Sequence, residues 1–442
     1  MLLKVEPIIG LEVHVELSTE SKMFCSCSAS HFGVEPNTHT CPVCLGLPGA
    51  LPFPNSKAID WTILVGLALG CSVNLSSKFN RKNYFYPDLS KGYQISQYDK
   101  PLAVNGKWLM VNGGTIRIRR VHLEEDTGKL AHTDGNSLID FNRSGVPLVE
   151  IVTEPDFTNS QDTKVFLQKL QQLVRYLGVS EADMEKGQMR CEPNVNLKIT
   201  KDDKIFYTPI TEIKNVNSFR FVSAAIEFEI TRLREEFEKN GVVKEDGNKV
   251  TRGWDEKKQQ TFSQRTKEEA QDYRYFPEPD IPPVKISKLQ ITNFKSQIPE
   301  LPDEKLARFI EDYHLPENIA SILIETRKKA DCYEEVVKST QGFGPLEIAN
   351  LLVNKKISSD LSPEEFIKEM RKRKEAPSMD AEKIEEAVRE VVLENSKVVE
   401  DYKKGKITVI EFLVGQVARK TKGQSDPNMA RKMLQDLLAT GV

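Results

Sequence analysis

Polar and apolar positions alternate along the first part of the chain. Residues 10–17 show this most clearly, with apolar Leu11, Val13, Val15 and Leu17 and polar Glu12, His14 and Glu16. A period of two is typical of a strand with one buried face. Similar segments, separated by Gly-, Asn- and Asp-rich turns, continue to about residue 290. They predict an α+β body with antiparallel strands, interrupted by helices over 160–177 and 218–241.

The pattern changes after a proline-rich stretch at residues 273–284, because proline stiffens the backbone and removes amide donors. Beyond it, apolar residues recur with helical spacing, as in Ile384, Val388, Val391 and Val392 and again in Ile410, Leu413, Val414 and Val417. We therefore predict three domains: an α+β domain over 1–292, a helical domain over 293–395 and a small helical tail over 396–442.

Length and composition agree with this organisation. At roughly 150 residues per domain, 442 residues predict about three domains. A hydrophobic fraction of 39% is enough for packed cores, and a net charge of −3 excludes a highly basic, histone-like protein. The uncharged run that most resembles a membrane helix, residues 61–77, is too short and too polar for one. With no signal-peptide pattern at the N-terminus, we expect a cytoplasmic protein without membrane contact.

Four of the seven cysteines lie within 20 residues, as the pairs Cys25-x-Cys27 and Cys41-x-x-Cys44. Two close thiol pairs joined by a loop match the requirements of tetrahedral zinc. No open ligand position would remain, so the predicted Zn²⁺ knuckle at 25–44 is structural. The alternatives are ordinary buried thiols, or a site in which His31 or His39 replaces one cysteine.

Carboxylates recur on the polar faces of several predicted strands. His14 lies between Glu12 and Glu16, which fits either a solvated face or a hard-cation site. Further candidates follow on three later segments: Glu124 and Glu125; Arg190, Glu192 and Asn194; and Glu212 with Lys214. Such strands could form a cradle for Mg²⁺ and a triphosphate. Because no P-loop or dinucleotide fingerprint is present, ATP use would require a sheet cradle.

Basic residues occur in two further segments, and each segment can be interpreted in two ways. Residues 78–93 interleave Arg81 and Lys82 with aromatic residues, which fits core packing for some of them and phosphate or nucleic-acid contact for the rest. The last 42 residues hold eight Lys or Arg against four Asp or Glu. This excess indicates either a solvated helix face or contact with nucleic-acid phosphates.

Five segments together closely resemble the GatB family, the B subunits of aspartyl/glutamyl-tRNA amidotransferase. They are residues 10–17 (GLEVHVEL), 41–49 (CPVCLGLPG), 81–88 (RKNYFYPD), 122–126 (HLEED) and 272–277 (DYRYFP). The likeness runs through 1–292 and returns at 405–426. No inserted domain is visible, which favours the GatB family over the related archaeal family that carries one.

The resemblance implies a carbon–nitrogen ligase. It phosphorylates the side-chain carboxylate of Glu-tRNA(Gln) or Asp-tRNA(Asn) with ATP and then forms the amide with ammonia. Two partners are implied, the glutaminase (the A component) and a small bracing protein (the C component). The resemblance also implies an antiparallel cradle resembling glutamine synthetase, and a tail that binds tRNA. A non-catalytic, zinc-bearing tRNA-binding scaffold is the alternative.

The matched motifs imply roles for individual residues. Mg²⁺ ligands would be Glu12, His14 and Glu125. Arg190, Glu212 and Lys214 would contact the nucleotide and the acyl phosphate. Cofactor-binding residues would also include Glu124, Glu192, Asn194, Arg81 and Lys82. The chain departs from the family pattern at Glu192-Pro193, where Asp-Ala is expected, and around 343–377, which looks shorter and more charged.

Overall fold

The computed structural model describes residues 3–110, 113–264, 273–375, 380–421 and 425–439. Asp272, the first residue of the last matched motif, lies outside these ranges. The described chain contains a mixed α+β part followed by helices. In the described residues, no helix is long and apolar enough to span a membrane.

The strands are β1 (Lys4–Glu16), β2 (Ser72–Val73), β3 (Ser76–Ser77), β4 (Asn80–Asn83), β5 (Tyr93–Ser96), β6 (Ala103–Leu109), β7 (Thr115–Glu125), β8 (Lys129–Thr133), β9 (Asn136–Asp140), β10 (Pro147–Thr153), β11 (Met189–Lys201), β12 (Lys204–Tyr207), β13 (Thr211–Lys214), β14 (Val250–Asp255), β15 (Gln260–Ser263), β16 (Phe276–Pro277) and β17 (Val284–Lys285). The helices are α1 (Ser56–Ala68), α2 (Ser160–Tyr176), α3 (Phe219–Asn240), α4 (Lys288–Gln297), α5 (Pro302–Tyr313), α6 (Glu317–Leu323), α7 (Arg327–Ser339), α8 (Pro345–Val353), α9 (Pro363–Glu375), α10 (Ala381–Glu394), α11 (Ser396–Lys403), α12 (Ile410–Lys420) and α13 (Pro427–Ala439).

Within the described ranges, ten strands form one large sheet in the order β15-β14-β13-β11-β1-β10-β7-β6-β2, with β12 paired to β11. The sheet is mixed, because β13 runs parallel to β14. The expectation of purely antiparallel strands is therefore wrong for this pair, although the central strands β11, β1, β10 and β7 are antiparallel. A separate three-stranded sheet, β16-β4-β5, carries the aromatic and basic segment.

One face of the large sheet packs against helices α1, α2 and α3. Helix α3 contacts β11, and α1 contacts β7. The helix predicted over 160–177 is confirmed as α2, whose Phe166 and Leu170 are fully buried. The helix predicted over 218–241 is confirmed as α3. It begins after the N-cap Ser218 and ends at Gly241, which has the positive φ of 65° that favours glycine.

By its internal contacts the chain divides into two units, residues 1–331 with 345–353, and residues 332–344 with 354–442. The three-domain division drawn from the sequence stays a prediction. Within the second unit, α10, α12 and α13 pack around a core that includes Ile384, Leu413 and Leu434. The apolar stripes predicted for α10 and α12 are confirmed as that core.

Candidate active site

The register of the central strands determines which polar side chains meet on the face opposite the helices. His14 on β1 pairs with Glu150 on β10, and Glu150 pairs with His122 on β7. On its other side, His14 lies opposite Arg190 on β11. Side chains opposite each other in neighbouring strands share a face, so these residues form one row. An adjacent row contains Glu192, Glu12 and Arg120.

A compact group of carboxylates and imidazoles occupies the middle of this face. The His14 Nε2 atom lies 3.4 Å from Glu150 Oε2, 3.6 Å from Glu124 Oε1 and 3.8 Å from Glu12 Oε1. The His122 Nε2 atom lies 3.2 Å from Glu150 Oε2. Two overlapping triads, Glu12-His14-Glu150 and His122-Glu124-Glu150, each bring their ligand atoms within 4.8 Å of one another. Either triad could hold a cation.

Burial and mutual proximity perturb the ionisation of this group. Burial raises the pKa of Glu12, and the Glu150 carboxylate raises it further. Burial alone would lower the pKa of His14, but Glu150, Glu124 and Glu12 outweigh it and raise the value to about 9. Burial would also raise the pKa of Glu150, yet His122 and His14 hold it well below the ordinary value. Protonated His14 therefore balances part of the carboxylate charge.

Glu125 is not part of this group, although the matched motif implied a shared ligand role with Glu12 and His14. Alternation along β7 directs Glu125 to the opposite face from Glu124. Its carboxylate lies 2.6 Å from Lys91 Nζ and accepts a hydrogen bond of 2.9 Å from the Ile95 backbone amide. The structure instead brings Glu150 beside His14. Glu124 joins the group and also accepts a hydrogen bond from Ser96 Oγ.

The remaining candidates on β11 and β13 make ion pairs around the edge of the group. Arg190 donates to the buried Asp126 at 2.5 Å, so its guanidinium is already engaged. Lys214 Nζ lies 2.7 Å from Glu192 and 3.2 Å from Glu212. Burial alone would lower the pKa of Lys214, but these two carboxylates raise it. Lys214 is therefore a positive charge held beside Glu192, which is the cross-strand neighbour of Glu12.

Arg81 and Lys82 on β4 differ in how far they are committed to other partners. Arg81 forms two hydrogen bonds with Glu278, of 2.7 and 2.9 Å, and its guanidinium stacks over Tyr93. Lys82 lies over the Tyr273 ring at 4.9 Å. Burial would lower the pKa of Lys82, but nearby acids, with Glu124 foremost, hold it well above the ordinary value. Of these two residues, Lys82 is thus the one whose positive charge interacts with the carboxylate group.

A cavity of about 480 Å³ opens on the same face. This volume is within the range of small-molecule sites. Its lining includes Glu12, Arg120, Asn194, Asn196, Lys244 and Lys249. Asn194, predicted from the sequence, therefore lies where a ligand would meet it.

The sequence-based prediction missed three residues of the site: Arg120, His122 and Glu150. One signal was available for Glu150, a single charge within the apolar run of residues 146–152. A carboxylate in a central strand is costly unless cations neutralise it.

The four clustered cysteines also converge. The Sγ atoms of Cys25, Cys27, Cys41 and Cys44 lie within 4.8 Å of one another, and none forms a disulfide. A hydrogen bond from Cys25, together with a backbone amide and the Lys22 ammonium, outweighs burial and lowers the Cys44 pKa to about 4. The group could hold a metal.

The two histidines of the cysteine loop have other partners. His31 Nε2 lies 3.0 Å from Glu16 Oε2, and His39 Nδ1 lies 2.7 Å from the Ser30 carbonyl oxygen.

Comparison with known protein families agrees with this arrangement. Residues 7–292, which contain both the cysteine cluster and the carboxylate group, match the model of the GatB/GatE catalytic domain. The chain belongs to the GatB/GatE family. Residues 346–438 match a second model, the GatB domain. The resemblance drawn from the sequence motifs is therefore confirmed.

Relatives of similar length share this family across their whole sequences. The chain is 45% identical to a protein of Caldicellulosiruptor saccharolyticus, over 98% of this chain and 99% of the relative. It is 43% identical to one of Thermotoga neapolitana, over 99% of each, and 44% identical to one of Persephonella marina, over 98% and 99%. Each relative is named as the B subunit of aspartyl/glutamyl-tRNA(Asn/Gln) amidotransferase.

Proposed function

We propose that this GatB/GatE chain is the component of a tRNA-dependent amidotransferase that activates a carboxylate carried by tRNA and converts it to an amide. The observation that carries the proposal is the group of the partly exposed Glu12 and His14 with the buried Glu124 and Glu150, beside a cavity of about 480 Å³. It lies in the part of the chain that matches the family's catalytic domain. The relatives' names refer to aspartyl- and glutamyl-tRNA, so the proposed substrates here are Glu-tRNA(Gln) and Asp-tRNA(Asn).

The chemistry explains why such a group is needed. A carboxylate is a poor acyl donor because its leaving group would be oxide, so its oxygen first attacks the γ-phosphorus of ATP and ADP departs. Ammonia then attacks the carbonyl carbon of the acyl phosphate, phosphate leaves, and a proton is lost to give the amide. The first step brings two anions together, so cations must reduce their repulsion.

Mg²⁺ would be held by Glu12, His14 and Glu150, with Glu124 and His122 beside them. The carboxylate oxygens are suitable ligands for Mg²⁺, and the imidazole would add one nitrogen donor. When bound, Mg²⁺ supplies charge neutralisation between the nucleotide and the substrate carboxylate. Lys214 and Lys82 add fixed positive charge, and Asn194 offers an amide for ligand contact. Glu192 and Glu212 hold Lys214, so we assign them to positioning.

Zn²⁺ is the proposed occupant of the cysteine group, with a structural role. Four sulfur ligands leave no position for water or substrate. Lys22 supports this proposal independently, because its buried ammonium lies 3.7 Å from Cys44 Sγ. No ion pair joins Lys22 to a carboxylate anywhere in the described ranges. A buried ammonium requires an anionic neighbour, and thiolate ligands provide one.

The wider assembly is proposed from the family. A glutaminase would supply ammonia, and the small C component would complete a cytoplasmic heterotrimer. The large sheet would act as a cradle of the glutamine synthetase kind, spanning residues 1–292. A helical domain over 293–395 would follow, and a tail over 396–442 would contact tRNA.

The test is ADP formation by the complex with the glutaminase and the small C component, using Mg-ATP and either Glu-tRNA(Gln) or Asp-tRNA(Asn), with ammonium present. ADP release that requires the charged tRNA, together with formation of the amidated tRNA, is the expected result. His14→Ala should abolish both while retaining tRNA binding. His132→Ala, a substitution in the exposed β8–β9 hairpin, is the matched control. Tight tRNA binding without ADP formation by the unaltered complex would favour the non-catalytic scaffold.

A further inference from the structure

Strand β7 carries three arginines, and a β-bulge determines where they point. Val152 of β10 pairs with Arg120, but the next residue, Thr153, pairs with Ile118. Arg119 is therefore an extra residue on β7, and the alternation of side chains restarts after it. As a result Arg120 shares the polar face with His122 and Glu124 of the same strand. Without the bulge, the alternation set by Ile116 and Ile118 would direct Arg120 toward the core.

The three arginines differ in how their charges are balanced. Arg117 makes two hydrogen bonds to Asp156, of 2.6 and 3.0 Å, and Arg119 makes two to Glu154, of 2.8 and 3.0 Å. Both side chains are more than half exposed. Both arginines are therefore engaged in ion pairs with matched geometry, although Arg119 also lines the cavity.

Arg120 makes weaker contacts with its neighbours than the other two arginines do. Its side chain is 28% exposed, and one guanidinium nitrogen lies 3.7 Å from Glu150 Oε1, which is too long for a hydrogen bond. Its Nε atom is buried and, among the described residues, has no hydrogen-bond partner. A buried N–H without an acceptor costs free energy, so this geometry is that of a donor that acquires its acceptor from a ligand.

The position of Arg120 indicates which ligand group that is. Arg120 lines the 480 Å³ cavity, in the same cross-strand row as Glu12 and beside the Glu150 carboxylate. A guanidinium presents a planar set of donors that matches phosphate oxygens. An anionic oxygen bound here would lie next to the proposed Mg²⁺ site. This is where a nucleotide phosphate and the substrate carboxylate must meet.

We infer that Arg120 is a catalytic residue that donates to the γ-phosphoryl oxygens as this group passes from ATP to the carboxylate. The inference rests on the proposed function and adds to it the residue that contacts the transferred group. Negative charge spreads over these oxygens during transfer, and the guanidinium stabilises it. Arg190 does not serve this purpose, because Asp126 already engages its guanidinium.

The decisive experiment compares Arg120→Gln and Arg120→Lys with Arg117→Gln, a control on the same strand that lies outside the cavity. With Mg-ATP, charged tRNA and saturating ammonium, Arg120→Gln should lower kcat about 10³-fold with little change in the KM for tRNA. Arg120→Lys should retain part of the rate, since it keeps the charge but loses the planar fork. Added guanidinium should partly restore Arg120→Ala. Arg117→Gln should match the unaltered complex.

A binding measurement separates a contact with the γ-phosphoryl group from a structural role. Arg120→Gln should weaken binding of Mg-β,γ-imido-ATP about 10- to 100-fold and leave binding of Mg-ADP unchanged. Equal weakening of both nucleotides, or a kcat within about threefold of the unaltered complex, would overturn the inference while the proposed function stands. If the unaltered complex forms no ADP with charged tRNA, the proposed function fails and this assignment fails with it.

Discussion

Lys22 provides the sharpest stability prediction, because a lysine with no exposed surface is rare. Its Nζ donates to the carbonyl oxygens of His39 at 2.7 Å and Phe141 at 3.2 Å, and lies 3.7 Å from Cys44 Sγ. These contacts connect the cysteine loop to the segment before β10. Lys22→Met keeps a chain of similar shape but removes the charge and every donor.

The magnitude follows from these contacts. Each carbonyl oxygen left without a donor costs about 1–3 kcal/mol. The Cys44 pKa of about 4 makes this sulfur a thiolate at pH 7, and opposite charges 3.7 Å apart attract by about 4 kcal/mol at an effective dielectric constant of about 20. The substitution also removes the cost of burying the Lys22 ammonium, and this gain offsets part of the loss. We therefore expect Lys22→Met to lower the free energy of unfolding by about 3–5 kcal/mol, as for other broken buried pairs.

Urea unfolding followed by tryptophan fluorescence measures this loss. The three tryptophans, Trp61, Trp108 and Trp254, all lie in the unit that contains Lys22. Measurements at pH 7 in a chelator remove any contribution from bound metal. Lys100→Met is the control, because that side chain is exposed and should change stability by less than about 0.5 kcal/mol.

A double-mutant cycle with Cys44→Ser tests the cause. If the thiolate is the anion that balances Lys22, Lys22→Met should cost about 2 kcal/mol less in the Cys44→Ser background. Equal losses in both backgrounds would refute the charge argument and leave only the two carbonyl contacts. A loss below about 1 kcal/mol in the unaltered background would refute the role of Lys22 altogether.

Three further predictions concern the metal groups and acid stability. The purified chain should contain one zinc, which Cys41→Ser should lose; metal analysis that finds none in the unaltered chain would remove the zinc proposal. Glu150→Gln should weaken Mg²⁺ binding at least about 10-fold in titrations of ADP formation, whereas Glu154→Gln on the surface should not. Burial would raise the pKa of Asp126, but arginines including Arg190 hold it well below the ordinary value. Asp126 therefore stabilises the fold above its unfolded pKa of about 4 and loses this contribution as the pH falls toward its folded pKa. The stability difference between Asp126→Asn and the unaltered chain should be full at pH 7 and shrink below pH 4, and a constant difference in urea unfolding would contradict this.

Local features were accessible from the sequence because they depend on short-range geometry. The period of two along residues 10–17 places Glu12, His14 and Glu16 on one face of the strand, whatever the strand packs against. Helix α3 was bounded correctly because Ser218 caps its first turn and Gly241 accepts a left-handed conformation. The spacing of the four cysteines likewise limits them to a small loop, and the structure brings all four sulfur atoms together.

The composition of the site depended on contacts between distant segments, which no local pattern specifies. A one-residue difference along β7 separates Glu124, in the carboxylate group, from Glu125, paired with Lys91 on the other face. Glu150 meets His14 only because β10 lies beside β1 in one particular register. The bulge at Arg119, which directs Arg120 to the cavity, is likewise a property of the β7–β10 pair.

The sequence alone thus determined the family, through its matched motifs. Backbone periodicity and residue spacing also gave the polar strand faces, several of the helices and the cysteine group. The tertiary structure decided which carboxylates, histidines and arginines share the site. Strand order and register result from the packing of the whole sheet against its helices, and a shift of one residue exchanges the two faces of a strand.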